Sequence, residues 1–162
     1  MVDASSIKVA SLVALVENKI FVSTVISLCL AQVFKVMVYV VHNRKKTTRE
    51  LVEILAWRTG GMPSSHAAVV SSLFTSIAFA EGISSNLFIF SFWFALVVLR
   101  DAMGVRRSAG LMAKALNDLG KQASEKTGLD FRLVKEIQGH TPLEVVVGSL
   151  LGASVAVCFS LL

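Results

Sequence analysis

The chain has 162 residues, of which 54% are hydrophobic and only two are proline, with a mean hydropathy of +0.70 and a formal net charge of +5. That is too short and too apolar for several soluble domains. It predicts one all-α integral membrane domain over residues 1–162, a small polytopic bundle of about four transmembrane helices with a cytoplasmic amphipathic helix or helical hairpin. Cys29 and Cys158 both fall inside apolar runs without the paired spacing of a zinc, redox or disulfide framework, so both are expected to be packing residues, and no metal or other cofactor is called for.

Residues 1–19 balance Asp3 and Glu17 against Lys8 and Lys19 and lack the basic leader and cleavage pattern of a removable signal. Ile7, Val9, Leu12, Val13 and Val16 largely follow helical spacing, which predicts an amphipathic or partly inserted segment. Four apolar runs follow, at 20–41, 64–80, 84–99 and 143–162. Each approaches the roughly 17–25 residues of a helical crossing, and the third, the shortest, needs flanking residues to complete it. Residues 42–58 hold five Lys/Arg against two Glu, and the connection at 100–139 holds eight against five Asp/Glu, whereas the link near Glu81 has neither Lys nor Arg. By the positive-inside rule both basic segments face the cytoplasm, with the N-terminus outside. Their closeness to the spans favours attraction to anionic lipid over nucleic-acid binding.

Three polar clusters then share the cytoplasmic face. Gly60-Gly61-Met62-Pro63-Ser64-Ser65-His66 is a glycine-rich turn opening a helix, where unpaired N–H groups and the helix dipole favour an anion and His66 can move a proton near neutral pH. A capped helix with His66 at the interface fits the same residues. The second cluster is Arg106-Arg107, whose guanidinium forks suit phosphate oxygens; Asp101 is expected to pair with one of them rather than hold a metal. The third, Gly139-His140-Thr141-Pro142-Leu143-Glu144, reads in two mutually exclusive ways. Thr141 and Glu144 form a capping box, or Glu144 reaches back four residues to orient and charge His140.

Between the second and third clusters, residues 108–138 read as an amphipathic helix or hairpin covering the site, with Ala109, Leu111, Met112, Ala115, Leu116 and Leu119 on its apolar side and a turn at Thr127-Gly128. Asn117 on this segment reads as a solvated or capping residue. Lys35, well inside the first apolar run, either snorkels to a cytoplasmic end about 10 Å away by helical rise or faces a phosphate, with Gln32 one turn before it. Gly148, Gly152, Ala156 and Ser160 continue the four-residue spacing of His140 and Glu144, a small-residue stripe suited to close helix approach or to a dimer seam.

These three motifs, in this order, resemble the divergent type-2 phosphatidic acid phosphatase family, a group related to acid phosphatases and vanadium-dependent haloperoxidases, over most of the chain from the first span onward. In that superfamily a proline-serine-glycine-histidine motif supplies phosphate contacts and a general acid, and a later histidine supported by an aspartate attacks phosphorus. The resemblance implies His140 as nucleophile, Glu144 in the aspartate's place and His66 as acid. It places Ser64 and Ser65 at the phosphate, Ser65 standing where the superfamily has glycine, with Gly60 and Gly61 shaping the turn. Lys35 is implied as a phosphate-binding lysine, although His42 stands seven residues on, where an arginine is usual. Val134 occupies the third motif's arginine position, so Arg106 and Arg107 are expected to supply that charge, supported by Asp101. A similar asparagine follows the arginine pair in the family, which makes Asn117 a secondary candidate.

The resemblance therefore implies a metal-independent membrane phosphatase acting through a phosphohistidine on a prenyl or polyprenyl phosphate, or on a phosphatidic-acid-like phosphomonoester or pyrophosphate. Phosphorylated lipid and membrane lipids are its expected partners, and nucleic acid is not. The small size of the chain, for a superfamily that commonly uses six helices, makes a homodimer an expected assembly. The His42 in place of an arginine after Lys35 and the Val134 in the later arginine position keep a second class in view, a non-catalytic binding protein or transporter for phosphorylated lipids. A haloperoxidase reaction is more distant, because nothing in the sequence calls for vanadium.

Overall fold

A computed structural model describes residues 13–42, 61–136 and 139–162. Gly60, the basic residues between 44 and 58, and Ile7, Val9 and Leu12 lie outside the described residues. The described chain forms α1 Lys19–His42, α2 Ser65–Glu81, α3 Asn86–Met103, α4 Val105–Thr127 and α5 Pro142–Leu161. The apolar runs thus each become one helix, and the third gains its flanking residues, extending to Met103.

Short polar residues set the helix starts. Asn18 Oδ1 accepts from the N–H groups of Ile20 at 2.9 Å and Phe21 at 3.1 Å, Ser64 caps α2, and Ser85 caps α3 by accepting from Phe88. These oxygens satisfy donors that the first helical turn leaves without a partner. Gly82, at φ 82°, ends α2 and turns the chain into α3.

α2 lies at the centre, packed against α1, α3 and α5. α1, α5 and the α3–α4 stretch Asn86–Thr127 are long and apolar enough to cross a membrane. α2, with 17 residues, is about 25 Å long at helical rise and the shortest of the bundle helices. The largest fully buried side chains are serines, Ser23, Ser27, Ser64, Ser71 and Ser72, whereas Phe90, Trp93, Phe94 and Val97 face outward. Small residues inside and large apolar ones outside are what lipid as solvent favours, since burying a leucine gains little when the surroundings are equally apolar.

Helices meet along stripes spaced by four residues. α1 buries Ser23, Ser27, Ala31 and Lys35; α2 buries Ala68, Ser72 and Ser76; α5 buries Gly148, Gly152 and Ala156. Ser23 and Ser76 share a buried hydrogen bond of 2.8 Å across α1 and α2, a contact worth about 0.6 kcal/mol in a membrane interior. A Cβ at Gly148 would strike the carbonyl oxygen of Ser64, and one at Gly152 that of Ala68. The α5 stripe is therefore spent inside the chain, against the helix that carries His66.

One expectation is corrected and one pair of alternatives is decided. Cys29 and Cys158 are exposed on the outside of the bundle rather than packed; each lies two residues beyond a stripe position, a rotation of about 200° around the helix. Of the amphipathic helix or helical hairpin expected over residues 108–138, the described residues form the helix. α4 is one helix closed by Gly128 in the left-handed conformation at φ 72°, and residues 128–136 continue without helix.

Gly152→Val is expected to lower stability by about 1–3 kcal/mol through overpacking against α2. Thermal unfolding in detergent should show a depressed midpoint for this variant and none for Leu150→Val on the exposed face; equal midpoints would refute the close approach.

Candidate functional site

The α2 turn and the start of α5 are joined before any side chain is considered. Ser64 N–H donates to the Glu144 carbonyl at 3.0 Å, and His140 N–H donates to the Ala102 carbonyl at the end of α3 at 3.1 Å. Ser64 is fully buried, and its Oγ accepts from Ala67 N–H at 3.4 Å. It therefore caps α2 and anchors the turn to α5. The capped-helix reading of this segment is correct, and it leaves the anion reading open, because the N–H groups of Ser65 and His66 belong to the first turn that a helix leaves unpaired. Ser65 is buried and His66 exposed.

Gly61 sits at φ +87°, where a side chain would be strained, and a Cβ there would stand 3.7 Å from Lys35 Cγ. Lys35 thus lies along the glycine turn, 5% exposed, rather than reaching outward. A residue separated from the turn by more than twenty positions is brought to it because Lys35 ends the same stripe that packs α1 on α2.

At α5 the two exclusive readings of Glu144 coexist, which corrects the expectation. Glu144 Oε2 accepts from Thr141 N–H at 3.1 Å and also meets His140 Nδ1 at 2.9 Å, while Glu144 N–H donates to Thr141 Oγ1 at 3.4 Å. One carboxylate oxygen accepts two hydrogen bonds, so the capping box aims the carboxylate that orients the imidazole. With Nδ1–H donating to Glu144, the His140 lone pair is left on Nε2.

His140 is 3% exposed. Burial holds its pKa below the usual imidazole value; the hydrogen bond and the charge of Glu144 push the other way, and the Lys35 and Arg106 cations add to the lowering. The net direction favours the neutral ring. His66 stands within electrostatic reach of Arg106, His140, Lys35 and Asp101. The first and third motifs, Lys35 and Arg106 thus share one neighbourhood at one end of the bundle.

Arg106 Nε pairs with Asp101 Oδ2 at 2.7 Å, the expected partnership. Arg107 is held differently. A Cβ at Gly139 would collide with the Arg107 backbone, so only glycine lets the His140 loop lie against the start of α4. Among the described residues no group of three or more His, Cys, Asp or Glu could hold a metal ion.

Residues 16–155 match the divergent PAP2 family. The chain belongs to this family. The uncharacterized membrane protein YuiD of Bacillus subtilis (strain 168) is 37% identical over 151 residues, covering 85% of this chain and 91% of its own length. No solved structure matches the chain. With this relative and three helices of spanning length, the chain is an integral membrane protein.

Asn117 of this divergent PAP2 protein is buried, neither solvated nor a cap. Its amide donates to the Val134 carbonyl at 2.8 Å and to Glu136 Oε1 at 2.9 Å, and its Oδ1 accepts from Val134 N–H at 2.8 Å. Both backbone groups of Val134, the residue in the superfamily's arginine position, are spent on this clasp. Asn117 thereby holds the Glu136 carboxylate in place.

A cavity of about 340 Å³ opens beside Glu144, lined by Gly61, Arg107, Lys114, Glu136 and Gly139 among others. It has room for several waters at about 30 Å³ each, and His140, His66, Lys35 and Arg106 are not among its lining residues. Lys114 and Glu136 escaped the sequence reading. Lys114 lies seven residues after Arg107, two helical turns, so the shared face was the available signal; Glu136 had none, because its place depends on the Asn117 clasp.

His140 is expected to titrate below the usual imidazole range in ¹⁵N-imidazole NMR. Glu144→Gln removes the carboxylate charge that raises the pKa, so the titration should move lower still. An upward move in this variant would contradict the assigned pairing.

Proposed function

We propose that this divergent PAP2 protein is a lipid-phosphate phosphatase that works through a phosphohistidine on His140. The observation that carries this reading is the buried His140 with Nδ1 bonded to Glu144 at 2.9 Å, which leaves Nε2 as the nitrogen to attack. An imidazole held as a nucleophile by a carboxylate follows the general logic of an oriented and activated attacking group.

In the first step Nε2 forms a bond to phosphorus as the bond to the leaving lipid oxygen breaks, and His66 gives that oxygen a proton. Lys35 and Arg106 compensate the oxygens' negative charge, Arg107 stands at the outer side, and the first-turn N–H groups at Ser65 and His66 add hydrogen bonds. In the second step His66 takes a proton from water as its oxygen attacks phosphorus, the N–P bond breaks, and inorganic phosphate leaves with His140 neutral again. Glu144 stabilises the imidazolium-like charge carried by phosphohistidine. A site at the end of apolar helices favours a phosphate carried on a membrane lipid, whether prenyl, polyprenyl or phosphatidic-acid-like, as phosphomonoester or pyrophosphate. On the charge asymmetry of the loops this site faces the cytoplasm.

The departures at His42 and Val134 from the superfamily's arginine positions support a second reading, a phosphorylated-lipid binding protein or transporter without turnover. The Asn117 clasp on Val134 favours it specifically, because the segment that would carry an arginine is committed to structure.

Purified protein offered a panel of lipid phosphates is expected to release phosphate, with His140→Ala reduced to background and His66→Ala slowed by about 10²–10⁴-fold, the usual share of a general acid. Acid-labile ³²P should be trapped on wild type and absent from His140→Ala. Equal release from all three proteins would exclude the mechanism, and tight binding without release would establish the second class. Vanadate, as a phosphate mimic, should inhibit; activity indifferent to excess vanadate would argue against a phosphoryl pocket of this kind.

A further inference from the structure

α4 has two faces, and only one is occupied. At 100° per residue Val105, Ala109, Met112, Leu116, Leu119 and Ala123 fall within one arc, and Arg107, Lys114, Lys121 and Glu125 fall opposite. On the flank between them, Asn117 and Gly120 are covered by the returning segment, with Phe131 seated where a Gly120 side chain would be. The apolar arc has no such cover: Val105 is 68% exposed, Met112 70%, Leu116 49% and Leu119 65%. Among the described helices α4 packs only against α3.

Two observations say what covers this arc. α4 starts at Gly104, directly where α3 ends, and the outer face of α3 already presents Phe90, Trp93, Phe94 and Val97 as a lipid-facing wall. The first turn of α4 therefore stands at the depth where a span leaves the hydrocarbon. The helix also carries five Lys/Arg against two Asp/Glu, and a basic polar face behind an apolar one is the pattern of a helix that lies on an anionic lipid surface. At 23 residues it would lie along about 34 Å of surface.

We propose that α4 is an interfacial helix, seated on the anionic lipid surface at the His140 end of the bundle through Val105, Met112, Leu116 and Leu119. Seating the apolar arc in the acyl boundary turns the opposite face, with Arg107 and Lys114, toward the cavity beside Glu144. Contact of Gly139 with the Arg107 backbone then links the membrane-bound helix to the His140 loop. The lipid surface thus acts as the floor on which that side of the site is assembled.

The test uses the full chain in vesicles, with Cys29 and Cys158 replaced by alanine and single cysteines placed in turn at Met112, Leu116, Leu119, Asp118 and Glu125 for nitroxide labelling. In equal parts phosphatidylcholine and phosphatidylglycerol, labels at 112, 116 and 119 should be relaxed mainly by oxygen, and labels at 118 and 125 mainly by a water-soluble nickel chelate. In phosphatidylcholine alone, or with Leu116→Glu and Leu119→Glu introduced beside a label at 112, nickel access at 112 should rise several-fold. Uniform nickel access around the helix would overturn the proposal. So would insensitivity to lipid charge, or spin–spin broadening at 116 that vanishes on dilution with unlabelled protein, which would place a second copy on this face. Depth is read without substrate, so these outcomes are separate from those of the phosphatase assay.

Discussion

Gly148 and Gly152 leave no side chain between α5 and α2, so the two helices approach until backbone meets backbone. In lipid this contact cannot rest on burying apolar surface, and dispersion packing between small residues is what remains to hold it. From it follows the bond of Ser64 N–H to the Glu144 carbonyl, and with that bond the glycine turn and the first turn of α5 become one unit. His140 N–H on the Ala102 carbonyl adds the end of α3. Each such hydrogen bond contributes only about 0.5–1.5 kcal/mol net, but together they hold Ser64, Glu144, His140 and Ala102 in one register. A bulkier residue at either glycine separates the elements that these bonds join.

Glu144 is the electrostatic counterpart of that contact. Its Oε2 serves the helix cap and the imidazole together, so the rigidity of the α5 start is passed directly to His140. Burial alone would leave His140 a poor base with no preferred tautomer, while an unopposed carboxylate would tend to keep it protonated. The balance favours the neutral ring, with Nδ1 turned to Glu144 and with the Lys35 and Arg106 cations disfavouring a second proton. On the proposed reading the same two cations meet the phosphoryl oxygens, so the charges that suppress protonation of the nucleophile also attract what it attacks.

Much of this was legible because membrane helices report their packing faces simply. The four-residue repeat through Glu144, Gly148, Gly152 and Ala156 marks a single face of α5, and the structure packs its glycines on α2. The Asp101–Arg106 pair was readable from short-range spacing at a helix junction. Less was legible where a side chain depends on a partner distant in sequence. Asn117 looks like a surface residue on an amphipathic helix, yet residues 134 and 136 return to bury it. The cysteines look like packing residues in an apolar run, because apolarity in lipid does not tell the inner face from the outer. Residues 128–136 carry enough apolar side chains to suggest a second helix, but after the left-handed turn at Gly128 the Asn117 clasp holds Val134 by both backbone groups.

By itself the sequence determined that this chain is a membrane-embedded helical bundle of the divergent PAP2 type, where its helices begin, and that its polar motifs lie at the ends of apolar runs. These follow from composition, from caps and from motif spacing, all local along the chain. Only the tertiary structure decided that Lys35 lies along the Gly61 turn, that Glu144 serves cap and imidazole at once, and that Arg106 and Arg107 occupy different surroundings. Those outcomes depend on backbone approach between helices remote in sequence, and no pattern within one helix records which neighbour comes close enough to fill the space a glycine leaves.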